Sequence, residues 1–308
     1  MHKETEFYGH GKLLLLGEYF VLDGATALAV PTRRGQRFSV AAREGSTLEW
    51  TMTVAGDPSA HRRFTFSPDD WQAEEPADDD PLRQRLRQLF HVAENLRPGC
   101  TRQLHGQRIT TTLDFPPEWG LGSSSTLVWF LSELLDVNAY DLLEQTFGGS
   151  GYDLACAGAE GPILYTRNGN TPKVSEIDWN PDWLATTCFV YRNRKQNSRE
   201  ALARYASIDI SPETIWEAGQ MSWMFLQAPH LRAAARIATA YERLIAEELG
   251  LKPVQETHFA DFDGTVKSLG AWGGDFVWAI TDQPLENTRA YFNDRGYPTV
   301  IPYNEMVL

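Results

Sequence analysis

Four stretches of this chain carry groups that could do chemistry together. The first is Pro116-Pro117-Glu118-Trp119-Gly120-Leu121-Gly122-Ser123-Ser124-Ser125, followed by the apolar run Thr126 to Leu135. Gly120 and Gly122 let the backbone approach a ligand closely, and the three serines then open a helix whose first N–H groups lack intrahelical partners. Those donors, the positive end of the helix dipole and the hydroxyls suit a phosphate chain, and one hydroxyl could reach a bound magnesium ion. The same residues also suit a plain serine N-cap after a tight turn, which is the commoner structure.

The other three stretches are complementary in type. Lys12 precedes Leu13-Leu14-Leu15-Leu16 and Gly17-Glu18-Tyr19, and Asp153 stands in the glycine-rich turn that begins at Gly148. A second glycine turn, Lys267-Ser268-Leu269-Gly270-Ala271-Trp272-Gly273-Gly274-Asp275, leads into an apolar strand. A lysine and an aspartate near a phosphate cradle could remove a proton and offset developing charge. Each also has an ordinary explanation: a strand-edge charge for Lys12, a helix N-cap for Asp153 and a hairpin for Gly270 to Gly274.

The elements that must position these groups are legible from periodicity. Short β-compatible runs at 12–16, 25–30, 36–41, 48–54 and 63–66 give a strand-rich start. Residues 69–80 form an acidic, proline-bearing loop, and 81–96 reads as an amphipathic helix with Leu82, Leu86, Leu89, Phe90 and Ala93 on one face. A strand at 107–115 delivers the chain to the glycine-serine stretch, and strand, glycine loop, helix is the order that a phosphate cradle requires. A short helix follows at 140–147, then strands at 163–165 and 188–191. Beyond these come helices at 199–205, 212–225, 230–249, 264–269 and 285–293, with strands at 276–280 and 299–302. The fold class is α+β, with a domain boundary around 177–184 that gives domains 1–180 and 181–308.

At 308 residues the natural expectation is two domains, and 42% hydrophobic residues suffice for sizeable cores. The formal net charge of -13 argues against charge-driven binding to nucleic acid or an anionic membrane, so an anionic substrate needs a local basic pocket. Cys100, Cys156 and Cys188 are odd in number and far apart, which fits a reducing, cytoplasmic setting. The polar first residues and the break at Gly17-Glu18 give no signal or membrane span. A homodimer is compatible with all of this.

Taken together, the motifs resemble the GHMP kinase superfamily, named for galactokinase, homoserine kinase, mevalonate kinase and phosphomevalonate kinase. Gly11-Lys12 through Gly17-Glu18-Tyr19 to Gly24, Ala27 and Leu28 is similar to the first motif. Pro116 to Ser125 is similar to the second, with Ser125 in place of an alanine. Gly270 to Asp275 is similar to the third, with Trp272 where a glycine is usual. The resemblance implies a two-domain GHMP kinase fold, with an N-terminal mixed sheet with helices and a C-terminal ferredoxin-like layer. It also implies ATP-dependent phosphorylation of a small molecule with magnesium.

On that resemblance, Pro117, Gly120, Leu121, Gly122, Ser123, Ser124 and Ser125 hold ATP with Gly270, Ala271, Gly273 and Gly274. Ser124 contacts magnesium, with Glu144 a candidate second ligand and a surface glutamate its alternative. Asp153 matches the catalytic aspartate, and Lys12 accompanies it. Gly17-Glu18-Tyr19, Gly274-Asp275 and the segment from Arg194 to Arg199 point to mevalonate or phosphomevalonate. Gly151-Tyr152-Asp153-Leu154-Ala155 is similar to the GYDIA signature of a bacterial offshoot. Glu18, Tyr19, Lys195 and Lys267 are the candidate substrate residues, and Arg192 is a further cation.

Three other functions compete. Asp261-Phe262-Asp263-Gly264-Thr265-Val266 is similar to the nucleophile motif of haloacid-dehalogenase-type phosphatases, yet the polar run before it and the 43 residues after Thr265 favour a surface turn. A GHMP-fold binding protein without transfer, and a diphosphomevalonate decarboxylase, remain alternatives.

Overall fold

Two long strands set the plan of the chain. β1 (Thr5–Leu16) and β2 (Ala27–Ala42) each contribute to both of the units into which the protein packs. The structure is a computed structural model that describes residues 4–71, 79–193, 203–270 and 274–308. Unit 1 comprises Met1–Gly11, Arg34–Pro117 and Leu121–Gly158; unit 2 comprises Lys12–Arg33, Glu118–Gly120 and Ala159–Leu308. Each unit is discontinuous in sequence, because the segment Lys12–Arg33 packs with the residues after Gly158.

In unit 1, β4 (Asp57–Phe66) pairs antiparallel with β3 (Leu48–Val54), and β3 runs parallel to β5 (Gln107–Leu113). β5 then pairs antiparallel with β2, with Gln36 opposite Leu113 and Ala42 opposite Gln107. The two expected strands at 25–30 and 36–41 are thus one continuous strand. Among the described residues, four α-helices belong to the unit: α1 (Pro81–Leu96), α2 (Ser123–Leu135), α3 (Ala139–Glu144) and α4 (Tyr152–Ala157).

α1 starts where the sequence says it should. The Asp80 carboxylate accepts from the N–H groups of Leu82 and Arg83, and Pro81 pre-sets the first turn; such a cap contributes about 1 kcal/mol. α2 is fastened through Phe130, which stacks on Phe38 at 4.1 Å and meets Trp50 edge-on at 6.0 Å. The Trp50 indole donates to Thr111 Oγ1 at 2.9 Å, so this buried ring carries no orphaned donor. Emptying the Phe130 position would cost about 3–5 kcal/mol and loosen the helix that carries the serines.

In unit 2, Ala27, Leu28 and Ala29 of β2 pair with β6 (Ile163–Thr166), which pairs with β7 (Lys173–Glu176). A separate antiparallel sheet has the order β11-β8-β10-β9, formed by β8 (Cys188–Tyr191), β9 (Thr265–Ser268), β10 (Phe276–Ile280) and β11 (Val300–Pro302). Helices Pro212–Leu226 and Leu231–Leu249 lie between β8 and β9 in sequence, and Leu285–Asp294 lies between β10 and β11. That element order and strand order define a ferredoxin-like layer. Strand alternation explains its two faces: Cys188, Val190, Val277 and Ala279 pack with Phe259 and Phe292, whereas Phe189 and Trp278 pack with Phe225 and Tyr303.

One expected helix is a strand. Residues 264–269 hold β9, whose Thr265 and Val266 pair with Ile280 and Ala279, so sheet pairing and β-branching override the short helical pattern. The Asp261 to Val266 stretch is a turn that leads into β9 at Thr265: Asp261 is exposed and accepts from the Tyr291 hydroxyl at 2.7 Å and from Arg295. The expected helix at 199–205 is described only at 203–205, which is helical; the rest lies outside the described residues, as do 72–78 of the acidic loop. Among the described residues, no helix is long and apolar enough to cross a membrane.

Candidate active site

Unit 1 brings the serine loop and the aspartate together. Leu121 is buried, Gly122 caps α2 at φ 93, and Ser123, Ser124 and Ser125 are the first three helical residues. The capping residue is therefore a glycine in the left-handed region, and no side chain caps the helix. This replaces the serine-cap explanation with an open helix N-terminus, whose amides can face an anion. The Ser124 side chain is exposed, while Ser125 is 3% exposed.

The start of α2 is held by neighbours on both sides. Thr126 donates to Gln36 Oε1 at 2.5 Å, and the backbone of Gly9 passes so close that a Cβ there would lie 3.0 Å from Thr126 Cβ. α4 opens after Gly151, at φ 87, which makes Asp153 its second residue rather than its cap. The half-buried Asp153 carboxylate accepts from Ser125 Oγ at 2.6 Å and from its neighbour Leu154 N–H at 3.1 Å. One hydrogen bond thus ties the first turn of the candidate phosphate helix to the candidate base. Tyr140 of α3 is close by, its hydroxyl pushed up to about 12 by burial and by the charges of Cys156 and Asp153. Glu144 is exposed at the end of α3, and among the described residues it bonds to neither Ser124 nor Asp153.

Unit 2 brings the first and third motifs together. Gly17, at φ 118, sits where a Cβ would overlap Ala27, so only glycine lets β1 turn there. Tyr19 then adopts φ 64 and ψ -59, with Phe20 N–H donating to Glu18 O at 2.8 Å. This is a γ-turn of the strained hand, held in place by its surroundings. Tyr19 stacks on Tyr205 at 5.3 Å, and the Tyr205 hydroxyl donates to Asp23.

Glu18 is 3% exposed and is ion-paired through Oε1 to Lys267, which is 0% exposed. The Lys267 ammonium also donates to Ser268 O at 2.9 Å and lies 5.4 Å from the Tyr241 ring centre. Burial pushes Glu18 up to about 7; Lys267 opposes the rise and the Glu242 charge adds to it. Glu242, itself raised by burial, accepts from Ser268 Oγ at 2.5 Å and from Val254 N–H at 3.2 Å. Glu18 and Lys267 therefore spend their charges on each other. Lys12 is half-buried in β1.

The second and third motifs also meet within unit 2. Gly120 has φ 64, and a Cβ on it would overlap the Asp275 carboxylate. Trp119 packs against Tyr191 and Phe276, the Tyr191 hydroxyl donates to Glu118 O at 3.4 Å, and Arg192 N–H donates to Asp275 O at 2.8 Å. Pro117 is exposed at the start of this turn, Gly270 has φ 70 and Gly274 is buried. Ala271, Trp272, Gly273 and Lys195 lie outside the described residues. Glu242, Tyr205 and the Asp275 contact carried no signal in the sequence: Glu242 reads as one more charge on an amphipathic helix.

No family model matches the chain, and no curated protein matches it in sequence. Solved structures do match its fold along nearly its whole length. Galactokinase from Lactococcus lactis, solved with galactose, has a TM-score of 0.70 at 14% identity, covering 97% of this chain and 93% of its own. Phosphomevalonate kinase from Streptococcus pneumoniae, solved with phosphomevalonate and AMPPNP, has a TM-score of 0.68 at 17% identity, covering 95% and 97%. A D-glycero-D-manno-heptose 1-phosphate kinase from Bacteriodes thetaiotaomicron has a TM-score of 0.67 at 14% identity, covering 99% and 96%. The chain has the two-domain GHMP kinase fold.

Proposed function

We propose that this protein is an ATP- and magnesium-dependent kinase that phosphorylates an alcohol or phosphate group of a small anionic isoprenoid precursor, of the mevalonate or phosphomevalonate type. The observation that carries the proposal is the 2.6 Å bond from Ser125 Oγ to Asp153, which holds a carboxylate at the open N-terminus of α2. Gly120 to Ser125 would hold the ATP phosphates with the Gly270 to Gly274 turn. The exposed Ser124 hydroxyl suits magnesium, a hard cation that takes oxygen ligands, and Glu144 is the proposed second ligand. Magnesium, when bound, would offset charge on the phosphates.

In the transfer, the acceptor oxygen forms a bond to the γ-phosphorus as the bond to ADP breaks. Asp153 takes the proton from the acceptor hydroxyl. Lys12 is assigned to stabilise charge on that oxygen. Glu18 and Tyr19 would shape the acceptor site, and Lys195 with Arg192 would meet its acid group.

A sugar or other neutral polyol is the second reading. It is favoured by Lys267, which is buried and already neutralised by Glu18, so one expected grip on an anion is engaged elsewhere. The test is a coupled ADP-release assay with magnesium-ATP over mevalonate, phosphomevalonate, homoserine and galactose, with carbon dioxide measured alongside. Turnover with one of the first two supports the anionic acceptor, and turnover with galactose alone supports the polyol. Carbon dioxide release points to a decarboxylase. ATP binding with no turnover on any acceptor points to a binding protein.

A further inference from the structure

The helix Pro212–Leu226 has two apolar faces. Ala218, Gly219, Ser222 and Phe225 are buried on one. Trp216, Trp223 and Met224 stand on the other, at i, i+7 and i+8, a spacing that forms one stripe along a helix. Trp216 is 68% exposed, Trp223 43% and Met224 57%. Among the described residues only Val174 and Leu308 are also large, hydrophobic and exposed, so three of the five such side chains stand on one helix.

Trp216 and Met224 of the stripe line a groove of about 910 Å³ together with Met221, Ile237 and Ala240, the last two from helix Leu231–Leu249. Glu213 and Glu217 stand on one wall and Arg236 on the other, all three exposed and without an ion pair among the described residues. At roughly 200 Å² per large side chain, the three exposed fractions leave about 340 Å² of apolar surface. That approaches half of the roughly 800 Å² that a stable interface covers on each partner.

We propose that this groove is a homodimer interface, in which Trp216 of each copy seats against the groove of the other. The charge pattern selects a second copy as the occupant. A two-fold axis along the groove carries the acidic wall of one copy over the basic wall of the other, so Glu213 and Glu217 face Arg236 of the partner subunit. The chain then supplies both the apolar seam and its complementary charges, and partly buried tryptophans are the residues that dominate such seams.

Sedimentation equilibrium on the full chain between about 1 and 100 µM tests the proposal. The protein is expected to dimerise, and Trp216→Glu is expected to raise the dissociation constant at least fiftyfold while far-UV circular dichroism stays unchanged. Glu217→Arg and Arg236→Glu should each weaken the dimer about tenfold. The double reversal Glu217→Arg/Arg236→Glu should return it to within about threefold of the parent, because the swapped charges face each other again. A monomer at every concentration, a dimer indifferent to Trp216→Glu, or a double reversal no better than either single change would overturn the proposal.

Discussion

Replacing Lys267 with methionine removes the ammonium but leaves Glu18, at 3% exposure, with one carboxylate oxygen already lacking a partner. Breaking a buried pair from one side costs about 3–5 kcal/mol, because the remaining charge is uncompensated. The size of the loss should depend on pH. Burial raises Glu18 from 4.5 to about 7, so the folded protein holds this proton more tightly than the unfolded chain. Its contribution to stability is full below pH 4.5 and is lost as pH rises through 7. A shift in this direction amounts to a few kcal/mol at most. The parent should therefore lose stability between pH 5.5 and 8, and Glu18→Gln should flatten that slope. Lys267→Met should be costlier at pH 8 than at pH 5.5, where a protonated Glu18 needs no counter-ion. The double variant Glu18→Leu/Lys267→Met should recover most of the loss. Urea unfolding followed by tryptophan fluorescence at the two pH values measures all of this. A Lys267→Met penalty below about 1 kcal/mol at pH 8, or a double variant as damaged as the single, would refute the reasoning.

Two further outcomes follow from the site. Ser125→Ala removes a hydrogen bond to a carboxylate, an interaction of about 1.5–3 kcal/mol. Steady-state kinetics should show kcat falling about tenfold or more with the KM for ATP within twofold, and Ser125→Thr should restore most of the rate. Gly120→Ala puts a Cβ on a residue at φ 64 and into the Asp275 carboxylate, so calorimetry should show weakened ATP binding and thermal melts a loss of about 1–3 kcal/mol.

Much of this fold is written in local pattern. α1 begins at Pro81 because Asp80-Pro81 is a cap with a pre-set first turn, and β8 and β10 are apolar runs long enough for a strand and too short for a helix. The turn and the helix that follows it at Ser123 were legible because glycines, serines and an apolar run stand in that order. What the sequence hid is contact between distant residues. Nothing local shows that Lys267, beside a glycine turn, spends its charge on Glu18, 249 positions away. Likewise Ser125 reads as one more serine until α4 places Asp153 beside it. The strand at 265–268 misled for the same reason: its pairing with β10, rather than its own propensity, decides its form.

The central claim is that Asp153 removes the acceptor proton at a nucleotide site built around α2. Its most direct test is single-turnover transfer from γ-labelled ATP by Asp153→Asn, with ATP affinity measured on the same sample. Loss of at least about a thousandfold in transfer with ATP affinity within threefold of the parent is the predicted result; transfer within tenfold of the parent would contradict it.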